Sequence, residues 1–420
     1  MIRIFSKNIW NCDKEKFEKG VLEISGSKIS GYQSGDPDLK KNKQKVLDYG
    51  DLFVSPSAVD LHIHSRGFLE SHKESFETLE AAALKGGVSA GACMANTFPR
   101  LDSPQMIREF FKFSKPLRVK LSPFAAVTKN LEGKNPTDWD ELLKMPIAGL
   151  SDDGKPLLNE KLFEQALVKT KKYKKFISLH EENTETSCAS QLHLSESSMR
   201  LGIEGSPENS ESEMVARDLA IASRVKAHLH LAHMSSAKSV ALIQAAKKKG
   251  VSVSAELTPH HALLSVDQAE KYSYVDLSRF KVCPVIRSRE DQAALWKGVE
   301  NGAIDCFASD HAPHSHFEKD RPYKEAAHGM IGLEYYFPLY NEFRLRSKLS
   351  WKRFFECFWK NPAKLLKLDM NAADLIIFDP NAVQTLDWSL SKSSNTPFAG
   401  AKIRGKIVEH WIAGKKLYGI

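Results

Sequence analysis

The sequence predicts an α/β protein, a (β/α)8 TIM-type barrel with a small β-domain formed by both termini. Eight apolar or small-residue runs of strand length alternate with segments of helical spacing across the middle of the 420-residue chain. Those runs are apolar on both faces, as parallel strands joined by helical crossovers must be. Their carboxyl ends carry His62 and His64, Asn96, Asp153, His180, His233, His260 and Asp310. An open doubly wound sheet is the alternative. Chemically capable residues gathered at one end of successive strands favour the closed barrel, whose active sites are built on that rim.

The amino-terminal segments MIRIFSKNIW, GVLEISGSKISGY and KVLDYGDLFV read as short strands, punctuated by Gly31, Gly35 and Pro37. The eight runs follow: LFVSPSAVDLHIH, VSAGACMANTF, VKLSPFAAV, PIAGLSDDG, FISLHEEN, AHLHLAHMSS, VSVSAELTPHH and IDCFASDHAPH. Between them SFETLEAAALKGG, EKLFEQALVKTKKYKK, SEMVARDLAIASR and SAKSVALIQAAKKKG place apolar residues at three- and four-residue steps and end in Lys, Arg or Gly, as helices do. Three further helical segments come next, the last (NPAKLLKL) with Asn361 as N-cap and Pro362 at its first position. The tail, ADLIIFDP and IRGKIVEHWIAGKKLYGI, returns to strands. These boundaries divide the chain into a small β-domain of residues 1–54 and 369–420 and a catalytic barrel of residues 55–368.

Hydrophobic residues at 42% and charged residues at 27% exclude disordered and fibrous classes. No run approaches the roughly 20 apolar residues of a membrane span. Lys7, Asp13 and Lys14 interrupt any signal-peptide core, so the expectation is a cytoplasmic protein without a membrane partner. The six cysteines include no Cys-x-x-Cys pair and suggest neither a zinc ribbon nor a disulfide framework. The net charge of +8 is concentrated in KKNKQK (40–45), KKYKK (171–175) and KKK (247–249), without the coherent stripe that nucleic acid requires.

Period-two alternation puts His62 and His64 on one side of an extended strand, within reach of one metal. With Asp153, His180, His233 and Asp310 they make a borderline-hard donor set suited to Zn²⁺, with Mn²⁺, Co²⁺ or Fe²⁺ as substitutes. The other histidines read blandly. His228 and His230 are packed strand residues, and His260 and His261 act behind the ligands. His311 points away from Asp310, while His72, His193, His316 and His410 are exposed. Cys93 and Cys306 are small core residues.

VDLHIHSR, MANTFP, GLSDDG, LHEEN, LAHMSS, AELTPHH, SDHAPH and GMIGLE, in this order and with NTPFAG near the carboxyl terminus, resemble the amidohydrolase superfamily and, within it, the bacterial class I dihydroorotases. The resemblance implies one or two Zn²⁺ ions per chain, two in the full site. His62, His64 and Asp310 would hold one, His180 and His233 the other, with Asp153 as the bridge and Asp152 left as a turn and cap residue. It also implies that Arg66, Asn96 and His314 grip a substrate carboxylate, that Cys283 and Gly329 line the substrate site, and that Asp310 carries the catalytic proton. Three stretches depart from the family pattern. Ala95 stands where a Pro is usual, Cys283 where an Asn is usual, and Gly67-Phe68-Leu69 replaces a Glu-Pro-Gly-like stretch.

The activity so implied is interconversion of N-carbamoyl-L-aspartate and L-dihydroorotate in de novo pyrimidine biosynthesis. A hydantoinase- or allantoinase-type cyclic amidase is one alternative. Another is a non-catalytic subunit that scaffolds aspartate transcarbamoylase, against which the intact ligand set argues. The partner expected is a small molecule bearing a carboxylate; a homodimer and an association with aspartate transcarbamoylase stay open.

Overall fold

The computed structural model describes residues 1–36, 46–187, 192–273 and 276–419, so the basic run 40–45 and Cys188 lie outside the described residues. The amino-terminal strands are β1 (Ile2–Asn11), β2 (Lys16–Ser25), β3 (Lys28–Ser34), β4 (Val46–Asp48) and β5 (Phe53–Pro56). The eight runs yield β6 (Ala58–Ile63), β7 (Val88–Cys93), β8 (Lys120–Pro123), β9 (Gly149–Leu150), β10 (Phe176–Leu179), β13 (Leu229–Leu231), β14 (Val253–Leu257) and β15 (Cys306–Phe307). A short parallel pair, β11 (Leu192–His193) and β12 (Gly205–Ser206), stands outside that series.

Parallel pairing joins β6, β7 and β8 in one group and β9, β10, β13, β14 and β15 in another. Two bridges close the ring. Ala125, just past β8, bonds across to Gly149 and Ser151 at 3.0 and 2.9 Å, and His64 N donates to His311 O at 2.9 Å beyond β15. The barrel is therefore closed by backbone hydrogen bonds at its carboxyl rim, where the capable side chains lie. Side-chain caps start the intervening helices: Ser75 opens Phe76–Gly86, Asn159 opens Glu160–Lys172 and Ser236 opens Ala237–Lys248. Gly87, at φ 79°, ends the first of these helices in a left-handed turn.

The chain ends add β16 (Leu375–Thr385), β17 (Lys402–Ile412) and β18 (Lys415–Gly419), completing a sheet ordered β18-β17-β16-β5-β1-β2-β3 with β4 beside β1. Alternation along β16 explains its place. Leu375 and Ile377 pack with Ile4, Leu22 and Trp411 on one face, while Ile376 and Phe378 join the main core on the other. Among the described residues, no helix is long and apolar enough to cross a membrane.

Three details differ from expectation. The run 52–64 is two strands, because Ser57 N turns to Asp374 O at 3.0 Å and the chain passes there from the terminal sheet into the barrel. Asn361 is not an N-cap: it sits at φ −72°, ψ −48° inside a continuous helical stretch, donating its N–H to Glu356 O across a π turn. That turn accommodates Pro362, which has no N–H to give. His410, expected exposed, is fully buried on β17 and donates Nδ1–H to Leu84 O at 2.9 Å.

Burial pushes the His410 imidazole down to about 4. A histidine held neutral in this way contributes fully above its unfolded pKa of about 6.5 and loses that contribution as the pH falls towards 4. His410→Gln should therefore give a thermal midpoint that depends less steeply on pH between about 6.5 and 4 than the wild type does. Equal slopes would place the acid sensitivity elsewhere.

Candidate active site

Each capable side chain is delivered by the end of a barrel strand. His62 and His64 come from β6 and the residue after it, Asp153 from the turn after β9, His180 from the residue after β10, His233 from the turn after β13 and Asp310 from the turn after β15. All six are buried. His233 (φ 35°), Asp310 (φ 45°) and neighbouring Arg66 (φ 51°) hold left-handed backbone, which costs roughly 1–3 kcal/mol per residue and is paid where geometry matters more than comfort.

Asp153 faces two ways. Its Oδ2 lies 3.3 Å from His62 Nε2 and 3.5 Å from His64 Nε2, and its Oδ1 lies 3.3 Å from His233 Nε2 and 3.6 Å from His180 Nδ1. Asp310 Oδ1 closes the first group, 3.0 Å from His64 Nε2 and 3.5 Å from His62 Nε2. Donors bound at about 2.0–2.1 Å to one tetrahedral ion stand roughly 3.3 Å apart, so this spacing suits metal ligation. The donors form two triads, His62–His64–Asp153 and Asp153–His180–His233, sharing one carboxylate. His62 Nε2, buried and without a hydrogen-bond partner, is a donor atom that a metal would satisfy. Burial alone would push Asp153 and Asp310 up, but the surrounding imidazoles, His62 foremost, outweigh it and hold both carboxyls below their usual range. The cluster is built to surround positive charge.

The groups behind the cluster explain its rigidity. Glu256, buried in mid-strand on β14, takes His62 Nδ1–H at 2.6 Å, His230 Nε2–H at 2.9 Å and the backbone N–H of His233 at 3.1 Å. Sequence reasoning did not single it out; a carboxylate inside the apolar run VSVSAEL was the available signal. Asp60 accepts from His62 N and Ser309 N, both at 3.0 Å, tying β6 to the Asp310 turn. Asp152 is the expected turn residue, accepting from Val127 N, Thr128 N and the Thr128 hydroxyl. His261 bonds Thr258 and Pro284 O, whereas His260 Nε2 has no hydrogen-bond partner and lies 3.8 Å from Asp310 Oδ2. His311 turns away from the cluster to Glu74, at 3.2 Å.

Above the cluster opens a cavity of about 480 Å³, lined among others by Arg66, Asn96, Cys283, His314 and Gly329, so all five expected substrate residues meet in one place. Arg66 Nε donates to Pro313 O at 3.0 Å and its Nη2 to His314 Nε2 at 3.2 Å. Asn96 Oδ1 accepts from His64 Nδ1 at 2.8 Å, which fixes the ring with Nε2 towards the carboxylates. Burial pushes the Cys283 thiol up to about 11, leaving it a neutral S–H near neutral pH. Gly329 sits at φ 132°, and a Cβ there would come 2.7 Å from Ala312 Cβ. Asn395, from NTPFAG, has a place that sequence did not supply: its Nδ2 donates to Ala312 O and Gly329 O and its Oδ1 accepts from His314 N.

A closed barrel carrying imidazoles and carboxylates at its carboxyl rim defines an amidohydrolase. Solved structures agree on the fold: L-hydantoinase (dihydropyrimidinase) from Arthrobacter aurescens superposes with a TM-score of 0.86 over 100% of this chain and 96% of that one, at 23% identity. Dihydropyrimidinase from Brevibacillus agri gives 0.84 over 100% and 95%, at 19% identity. The sequence profile described as dihydro-orotase-like matches residues 50–239. Dihydroorotase of Staphylococcus epidermidis is 34% identical over 96% of this chain and 97% of its own length, and that of Clostridioides difficile 32% identical over 97% of each. The chain belongs to the dihydroorotase-like family of amidohydrolases.

Glu256→Gln should leave His62 and His230 without their anionic acceptor and weaken metal retention about 10-fold to 100-fold, read as metal content after dialysis against graded chelator. Retention equal to wild type would remove Glu256 from the support of the centre.

Proposed function

We propose that this chain is a zinc-dependent dihydroorotase, interconverting N-carbamoyl-L-aspartate and L-dihydroorotate in pyrimidine biosynthesis in the cytoplasm, with residues 55–368 as its catalytic barrel and residues 1–54 and 369–420 as an appended β-domain. The observation that carries the substrate choice is Arg66. Its guanidinium is buried at the cavity and hydrogen-bonded to neutral partners, and among the described residues no carboxylate stands within ion-pair distance of it, Glu70, Glu318 and Asp310 acting on it only from farther away. A buried unpaired cation is costly, and a substrate carboxylate relieves that cost. Dihydroorotate carries such a group beside its reacting ring.

In this reading His62, His64 and Asp310 would hold one Zn²⁺ and His180 and His233 a second, with Asp153 shared between the two groups. Bound there, the ions supply Lewis acidity that activates water and polarises the ring carbonyl. The protein does the rest. Arg66, Asn96 and His314 take the carboxylate, and Gly329 allows the chain to approach the ring. In the hydrolytic direction a water oxygen bonds to the ring carbonyl carbon, Asp310 accepts the water proton, and that proton goes to the ring nitrogen as the C–N bond breaks. Synthesis reverses these steps.

A hydantoinase-type reading is favoured by one observation, Cys283, because a thiol pairs weakly with a ring where an amide would bond. Substrate comparison separates the two. Dihydroorotate turnover should vanish on chelation and return with Zn²⁺ or Co²⁺. Arg66→Ala should cost about 2–5 kcal/mol in kcat/KM for dihydroorotate and change hydantoin turnover little. Faster turnover of hydantoin or allantoin than of dihydroorotate by the wild type would overturn the proposal.

Asp310→Asn keeps an oxygen ligand and removes the base, so kcat should fall by about 10²-fold to 10⁴-fold with a smaller change in KM. More than a tenth of wild-type kcat would assign the proton to another group.

A further inference from the structure

His180 has two nitrogens, and the inner cluster uses one. Its Nδ1 faces Asp153 and His233, while its Nε2 faces outward, 3.4 Å from Cys283 Sγ and 3.4 Å from Glu182 Oε2. Ligand atoms of His180, Glu182 and Cys283 all lie within 4.8 Å of one another. For Zn–N of about 2.0–2.1 Å and Zn–S of about 2.3 Å, the N···S and N···O edges of a tetrahedral site are roughly 3.5 and 3.3 Å, close to what is found. Cys283 and Glu182 both line the cavity, and neither is sealed from it: Cys283 is half-buried and the Glu182 side chain is 20% exposed. The fourth position of such a site therefore opens into the space where substrate is expected. Thiolate, imidazole and carboxylate together favour soft or borderline ions such as Cd²⁺ and Zn²⁺ over Mg²⁺.

We infer that Cys283, Glu182 and His180 form an outer, inhibitory site for thiophilic divalent cations, distinct from the inner cluster though sharing its His180. Capture breaks the Cys283 S–H bond, sends that proton to solvent and forms a sulfur–metal bond; the ring of His180 gives up its remaining proton in the same way when both of its nitrogens are engaged. The ion then stands in the substrate cavity and draws on a ring that the inner cluster needs. Catalysis should stop by occlusion, by weakening of the inner site, or by both. The inhibitory consequence rests on the proposed function; the binding itself does not.

The test titrates the zinc-loaded protein with Cd²⁺ and follows the ultraviolet thiolate-to-cadmium charge-transfer band, alongside dihydroorotate turnover. The inner cluster contains no cysteine, so Cd²⁺ exchange there adds nothing to the band. We expect a saturable band of one equivalent whose midpoint coincides with loss of turnover. Cys283→Ser and Cys283→Asn should each abolish the band. Glu182→Gln should shift its midpoint by at least about tenfold. Cys12→Ser and Cys188→Ser should leave it in place. Absence of the band in the wild type, its persistence in both Cys283 variants, or an unmoved midpoint in Glu182→Gln would overturn the outer site. A normal band in a protein that never turns over dihydroorotate would instead overturn the proposed function.

Discussion

Asp153 is the side chain on which the centre depends. Taking an ionised carboxylate out of water costs several kcal/mol, and this one is met from opposite sides by two pairs of imidazoles. Its position requires four strand ends to converge within hydrogen-bond distance, which in turn requires the barrel to close. The two short bridges at Ala125–Leu150 and Ile63–His311 make that closure, and the second lies one residue from His62, from His64 and from Asp310. Fold closure and site assembly are thus one event at the carboxyl rim.

The Arg66 and His314 end of the cavity depends on a different part of the chain. The segment between β16 and β17 leaves the terminal sheet and crosses the rim. There the Ser391 hydroxyl bonds Glu74, Ser393 Oγ donates to Lys73 O at 2.9 Å, and Asn395 takes the backbone of Ala312, His314 and Gly329. Glu74 also holds His311, the residue after Asp310. Lys319, fully buried, donates to the carbonyls of Lys281, Ala327 and Gly329 at 2.8 Å each and fixes the opposite wall. The appended sheet is therefore coupled to the site through its own loop.

What was legible in the sequence follows from what is periodic or chemically marked. His62-Ile63-His64 announces two imidazoles on one side of a strand, and the remaining capable residues fall where apolar runs end, so all eight strands and all six cluster members could be read. Contacts between distant segments leave no such mark. Glu256 looks like an ordinary strand residue until two histidines are found on it, and Asn395 lies 81 residues from the loop it organises. Local rules failed where tertiary context overrode them: Pro362 suggested a helix start, yet a π turn removes the need for its N–H, and His410, preceded by Glu409 in sequence, is carried inside because a register shift in the β16–β17 pairing sets it opposite Ile376, on the face that joins the main core.

Selectivity has a similar physical division. A site gains its sharpest discrimination when buried polar groups are left unpaired by the wrong substrate, because each costs its full desolvation. At position 283 a neutral thiol offers little of this, so in the proposed reading the ring of a cyclic amide would meet weak directional chemistry there. At the other end the guanidinium of Arg66 already spends Nε on Pro313 O and Nη2 on His314, an arrangement that pins its plane and presents its remaining N–H groups in a fixed fork. A planar carboxylate matches that fork, and a neutral ring edge does not. In the proposed reading discrimination therefore falls on the carboxylate end, where Asn395, on the loop between β16 and β17, holds the backbone of His314.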